Sequence, residues 1–233
     1  MDQASTTQLA DYASARDHMV DGQVRPNKVI DPRIIRAMRS IPRERFVPPH
    51  LVSLAYADED VPLDRGRALM EPMVIARLVQ LAHVRQGDRV LVVGAGSGYG
   101  AALLAACGGQ VTALEEDEAL LAIARRTLPE FAPGAALAVG PLAAGQAAGA
   151  PWDVILIEGA VRTIPAAIAL QLNPNGGRLV TVLAPGNVTS GGQGVLAEPG
   201  QHNAPSATLR AAPMFDCATP LLPPLLPARA FQF

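Results

Sequence analysis

The stretch from Val90 to Tyr99, reading Val-Leu-Val-Val-Gly-Ala-Gly-Ser-Gly-Tyr, has the residue types needed to hold a small molecule. An apolar run that enters a glycine-rich turn and then a helical segment makes a cofactor cradle. Glycines let the backbone approach a ligand closely, and a helix start offers free N–H groups. A dinucleotide fingerprint would place its third glycine at position 99, which is Tyr99, so a nicotinamide-dependent oxidoreductase is disfavoured. The Gly94, Gly96, Gly98 spacing suits instead a nucleoside cofactor without a pyrophosphate. Alone, such a turn is as readily a structural feature.

Glu115 strengthens the cofactor reading. It ends the next apolar run, about twenty residues after the turn, where an acid can accept both ribose hydroxyls. The plain alternative is a solvated strand-end carboxylate, because Glu116, Asp117 and Glu118 follow directly. Glu158-Gly159-Ala160 ends a further apolar run, on the sheet edge where open α/β folds bind ligands. The candidate cofactor contacts are therefore Gly94, Ala95, Gly96, Ser97, Gly98, Glu115, Glu116 and Glu158. The histidines (His18, His50, His83, His202) are scattered, and no metal site is expected.

An alternation of strands and helices must position these residues. The strand-like segments are Val90–Val93, Val111–Leu114, Leu137–Val139, Val154–Ile157 and Leu179–Leu183. Between them lie helical stretches at Gly98–Ala106, Asp117–Leu128 (ended by Pro129) and Ile164–Leu172. Such alternation implies an α/β, doubly wound, mostly parallel sheet covered on both faces. Segments near Ser206–Arg210 and Phe215–Ala218 are expected to add antiparallel edge strands. Upstream, residues 9–49 read as helical, with Asp31-Pro32 opening one run. Leu51–Gly66 reads as loop, and Val74, Ile75, Leu78, Val79 and Ala82 repeat at helical spacing after Glu71-Pro72. Residues 1–85 are thus expected to pack as a helical region on the catalytic edge of an α/β core spanning 86–233, in one compact domain.

The composition fits. Of 233 residues, 49% are hydrophobic and 17% charged, enough apolar side chains to fill a core. A net charge of −2 without a basic run gives no nucleic-acid footprint. Cys107 and Cys217 lie far apart and read as reduced thiols. No secretion signal is expected, and the apolar stretches are broken before the ~20 residues of a membrane span. The Pro-Leu-rich tail, Pro220 to Pro227, is expected to pack against the domain.

Several further segments carry a specific resemblance. Ile41-Pro42-Arg43-Glu44-Arg45-Phe46-Val47-Pro48, Ala55-Tyr56-Ala57-Asp58, and Glu71-Pro72 with Ala76-Arg77-Leu78 precede the glycine turn. Trp152–Ala160, Ile164-Pro165, and Gln171-Leu172 with Gly176–Val180 follow it. Their order and spacing, over roughly Arg16 to Leu183, resemble the protein-L-isoaspartate (D-aspartate) O-methyltransferases. The resemblance implies the Rossmann-like class I fold that uses S-adenosylmethionine (SAM) and releases S-adenosylhomocysteine. It also implies a cytoplasmic repair enzyme, monomeric or dimeric, whose partners are isoaspartyl-containing proteins or peptides. The acceptor would be the side-chain carboxylate formed when aspartyl or asparaginyl residues rearrange. A carboxylate is already ionised near neutral pH, so no general base is required, and catalysis reduces to alignment.

Four positions depart from the family pattern. Met70 stands where a hydroxyl usually donates to the substrate carboxylate, leaving Arg67, Met70 and Glu71 as the substrate-loop candidates. Val92 and Pro141 replace acids, the latter one that accepts from the adenine amino group. Glu158 stands where a smaller polar residue or Asp is usual. A hydrogen bond to a charged group is worth ~1.5–3 kcal/mol, so losing two would weaken SAM binding ~10²- to 10⁴-fold. The alternative is a non-catalytic relative that keeps the fold and serves as a binding or scaffold protein.

Overall fold

The computed structural model describes residues 3–186, 191–200 and 209–226. Helix α1 (Gln3–Met19) runs through a π turn and a 3₁₀ turn before α2 (Pro32–Ser40). A two-stranded hairpin follows, β1 (Val61–Pro62) against β2 (Ala68–Leu69); β1 lies within the segment expected to be loop, and β2 just after it. Helix α3 (Pro72–Ala82) buries Val74, Ile75, Leu78, Val79 and Ala82, the residues whose spacing marked it.

The sheet is built from β3 (Arg89–Val93), β4 (Gln110–Glu115), β5 (Ala136–Val139), β6 (Val154–Val161), β7 (Arg178–Leu183), β8 (Gly192–Pro199) and β9 (Leu209–Cys217). Its order is β5-β4-β3-β6-β7-β8-β9. The first five strands are parallel, while β8 and β9 are antiparallel additions at one edge. Helices α4 (Tyr99–Ala106), α5 (Glu118–Phe131) and the short α6 (Ala166–Ala169) make the crossovers. Because parallel strands are covered on both faces, β3 and β6 are continuous apolar runs rather than alternating ones. One core cluster joins Met19, Phe46 and Met70 to Val92, Leu103 and Leu156.

Three local expectations need correction. Helix α5 does not stop at Pro129 but continues to Phe131. Proline removes a single backbone donor there, and the carbonyl left without it belongs to exposed Arg125 in the last turns. Helix α6 is much shorter than Ile164–Leu172, because residues 171–173 leave the helix to pair with Trp152 (Trp152 N to Gln171 O, 2.8 Å; Asn173 N to Trp152 O, 2.7 Å). Strand β8 was hidden by its glycines. The Phe215 ring of β9 lies directly on Gly194, filling the space a side chain would take. The two edge strands expected near Ser206–Arg210 and Phe215–Ala218 are the two ends of one strand, β9, while Ser206 to Thr208 lie outside the described residues.

Arg33 ties the helical region to the sheet layer. Its Nη1 donates to Val84 O (2.8 Å) and Cys107 O (3.1 Å), at the ends of α3 and α4. Asp31 holds that side chain through its carboxylate and also caps α2, accepting from Arg33 N (2.8 Å). Asp31→Ala should therefore cost about 1–2 kcal/mol, the range of a lost N-cap. Urea unfolding measures this, and an unchanged midpoint would show the cap to be redundant.

Candidate functional site

Strand β3 connects onward to β4 on one side and has β6 as its neighbour on the other. The crevice beyond the carboxyl ends of β3 and β6 is therefore the topological switch point, where open α/β sheets bind ligands. The glycine turn begins there. Gly94, Gly96 and Gly98 take φ of 72°, 57° and 95°, the left-handed region that favours glycine. Gly94 N and Ala95 N both donate to Leu114 O (3.0 Å each), folding the turn against β4. Ser97 O accepts from Thr127 Oγ1 (2.8 Å), which ties the turn to α5.

Glu115 ends β4 directly beside that turn, and Asp117 starts α5 by accepting from Ala119 N and Leu120 N. The Glu115 carboxylate is fully buried and engaged at both oxygens. Oε1 accepts from Arg67 Nη1 (2.9 Å), Glu116 N (2.9 Å) and Asp117 N (3.0 Å). Oε2 accepts from Arg67 Nη2 (2.8 Å) and Gly96 N (2.7 Å). Burial alone would raise its pKa, but the Arg67 hydrogen bonds and charge, with the backbone donors, hold it below the usual carboxylate range. Arg67 Nη2 also donates to Gly94 O (3.0 Å), so the guanidinium lies along the turn itself.

The chain's own C-terminal segment covers the rest of the crevice. A Cβ on Gly94 would lie 2.9 Å from Leu222 Cδ2, and one on Gly159 would lie 3.1 Å from Leu222 Cδ1. Leu222 therefore rests on the backbone of both strand tips, and only 3% of it is exposed. SAM, the cofactor the resemblance implies, does not fit this arrangement. The turn and the acid have the right chemistry, but Leu222 fills the approach and Arg67 takes the lone pairs a ribose would need.

The remaining cofactor candidates divide. Gly94, Ala95, Gly96, Gly98 and Glu115 come together at the crevice, with Ser97 buried behind them. Glu116 instead reaches β5's exit, where its Oε2 accepts from Leu142 N (2.8 Å), next to Pro141. Glu158 turns inward beneath α4, against Gly100, where any side chain would collide with its carboxylate. Burial lifts its pKa to about 8, offset only in part by the charges of Arg67 and Arg43 and by the Gly100 N–H. Val92 is buried among apolar neighbours.

In the substrate loop, Met70 is 1% exposed and its carbonyl accepts from Arg43 Nη2 (2.5 Å). Arg43 is buried, donates also to Ala55 O (2.6 Å), and lies 5.0 Å from the centroid of the Tyr99 ring. Glu71 donates its N–H to Asp60 Oδ1 (2.9 Å), and burial with Asp58 and Asp60 nearby raises its own pKa. A cavity of about 410 Å³ opens beside this loop, lined by Glu59, Asp60, Leu63, Arg67 and Pro220 among others. Another, of about 520 Å³, lies at the β8–β9 edge and contains none of the candidate residues. Sequence reasoning missed the parts played by Leu222 and Arg43. The only signal for Leu222 was the apolar character of the tail; Arg43 lay in the family-like segment Ile41–Pro48, but nothing there marked its buried contact with the Met70 carbonyl.

The family model for protein-L-isoaspartate(D-aspartate) O-methyltransferase matches residues 14–193. A protein-L-isoaspartate O-methyltransferase of Methylorubrum extorquens is 41% identical over 181 residues, covering 78% of this chain and 79% of the relative. The chain belongs to the protein-L-isoaspartate(D-aspartate) O-methyltransferase family. A relative with that name from Koribacter versatilis is 38% identical over 76% of this chain and 80% of its own. Among solved structures, a protein-L-isoaspartate O-methyltransferase superposes with a TM-score of 0.70 at 22% identity, over 85% of this chain and 63% of that one. A Plasmodium falciparum protein assigned to the same activity, in complex with S-adenosyl-L-homocysteine, gives 0.68 at 15% identity, over 91% and 97%. These two establish the shared fold.

The raised Glu158 pKa has a stability consequence. The native state keeps a proton that the unfolded chain releases above its ordinary 4.5, so stability falls as pH rises from there to about 8. Glu158→Gln keeps the shape without the titration. Its melting temperature relative to wild type should therefore climb between about pH 5 and pH 8.5. A difference that does not change with pH would place the proton elsewhere.

Proposed function

We propose that the chain is a SAM-dependent carboxyl methyltransferase of the protein-repair type, acting on isoaspartyl residues of damaged proteins or peptides. The observation that carries this reading is the glycine turn beside Glu115 at the sheet's switch point, with Gly96 N 2.7 Å from the carboxylate. Family membership supplies the reaction class, and the cavity beside Arg67 and Asp60 is the adjoining space a peptide could enter. Free Cys107 and Cys217 suit a reducing, cytoplasmic setting. Among the described residues no helix is long and apolar enough to cross a membrane.

The chain's own residues provide few donors for a substrate carboxylate. A carboxylate stripped of water needs hydrogen bonds in compensation. Met70 offers an apolar thioether, the Glu71 N–H is committed to Asp60, and the Arg67 guanidinium is committed to Glu115 and Gly94. Asp60, which lines the opening, would repel an anion whenever it is ionised. The same observations favour a second reading, a family member that has given up catalysis and serves as a binding protein.

Radiolabelled methyl transfer to an isoaspartyl peptide, beside its normal aspartyl control, separates the two. We expect weak transfer confined to the isoaspartyl peptide, increased by Met70→Ser, which restores a hydroxyl to the loop. Absence of label on either peptide, in both wild type and Met70→Ser, would favour the non-catalytic reading.

A further inference from the structure

We propose that Thr219–Leu226 is a plug built into the chain, which must leave the cofactor crevice before SAM or S-adenosylhomocysteine can occupy it. This inference rests on the cofactor reading above. The segment is not loosely draped. Ala160 N donates to Pro220 O (3.0 Å), and Leu222 N donates to Ala160 O (2.8 Å), forming a parallel bridge between Ala160 and Leu221. Strand β3 pairs with β6 only as far as Val93 and Ile157, whereas β7 continues along β6 to Val161. The plug therefore takes up the edge of β6 that β3 leaves free, directly above Gly94.

Side chains fasten it from several directions. Leu221 and Leu222 are buried, and Thr219 Oγ1 donates to Asp60 Oδ1 (3.0 Å). Pro223 Cγ lies 3.3 Å from the position of a Cβ on Gly66, the residue before Arg67. The space a Cβ on Gly94 would take is closed by both Leu222 Cδ2 (2.9 Å) and Arg67 Nη2 (3.4 Å). Leucine and arginine together occupy the path past the first glycine and the oxygens of the ribose acid. The family match ends at residue 193, so the plug belongs to a part of the chain that the match does not cover.

Displacement has a defined consequence. When a binding-competent state is only fractionally populated, apparent affinity falls by that fraction. Shortening Leu222 weakens the closed state without touching the glycine turn or Glu115. The test is calorimetric titration of S-adenosylhomocysteine into the full-length wild type and Leu222→Ala, with thermal melts to verify folding. Amide hydrogen exchange across residues 219–226, with and without S-adenosylhomocysteine, provides a second readout on the unaltered protein. We expect Leu222→Ala to bind about tenfold or more tightly, and saturating ligand to abolish protection of the Leu222 amide in the wild type. Equal affinities with unchanged protection would overturn the plug while leaving the cofactor reading intact. No binding by either protein at millimolar ligand would overturn both.

Discussion

The site depends on one buried ion pair, Arg67 on Glu115. Both groups lie out of solvent, where an isolated charge would be prohibitive, and each is tolerable only because the other and the surrounding backbone donors satisfy it. The pair also sets the positions of its neighbours. Glu115 collects Gly96, Glu116 and Asp117 N–H groups, which fixes the glycine turn against the start of α5. Arg67 carries the β1–β2 hairpin across the crevice, and the hairpin gives the C-terminal segment a surface to rest on. Removing one member would leave an uncompensated charge at a cost of ~3–5 kcal/mol, whereas a ligand hydroxyl could replace the arginine only if that cation found another partner.

The energetic balance of the closed state follows from ordinary terms. Burying a leucine side chain is worth ~1.5–3 kcal/mol, so withdrawing Leu221 and Leu222 costs several kcal/mol before any cofactor contact forms. Two backbone hydrogen bonds add about 1 kcal/mol each. A cofactor that gains its ribose, glycine-turn and adenine contacts can offset this, but its apparent affinity carries the whole difference. Binding would then be weak without any defect in the turn itself. The apolar Met70 and the commitment of the Glu71 N–H act separately, on the acceptor side, so cofactor affinity and substrate turnover need not change together.

Much of this was legible in the sequence. The continuous apolar runs at Val90–Val93 and Val154–Ile157 marked buried parallel strands, because covering both faces of a sheet leaves no polar alternation to confuse the pattern. The Gly94–Gly98 turn and Glu115 could be paired from spacing alone, since strand length and crossover fix where a second strand tip lies. Strand β8 escaped notice because its Gly194 relies on Phe215 of another strand, a long-range rescue that no local window contains. Arg67 was recognised as a member of the right loop but not as the partner of Glu115, which is 48 residues away. Leu222 could be read only as apolar tail, because nothing local to Pro-Leu repeats tells which surface they will cover.

A crystal structure of the full-length protein grown with saturating S-adenosylhomocysteine tests the central claim most directly. The expected result is ligand across Gly94–Gly98 with its ribose on Glu115, Arg67 turned away from that carboxylate, and Leu222 withdrawn from Gly94 and Gly159. Ligand bound in that crevice with the Arg67–Glu115 pair and the Leu222 contacts both intact would contradict it.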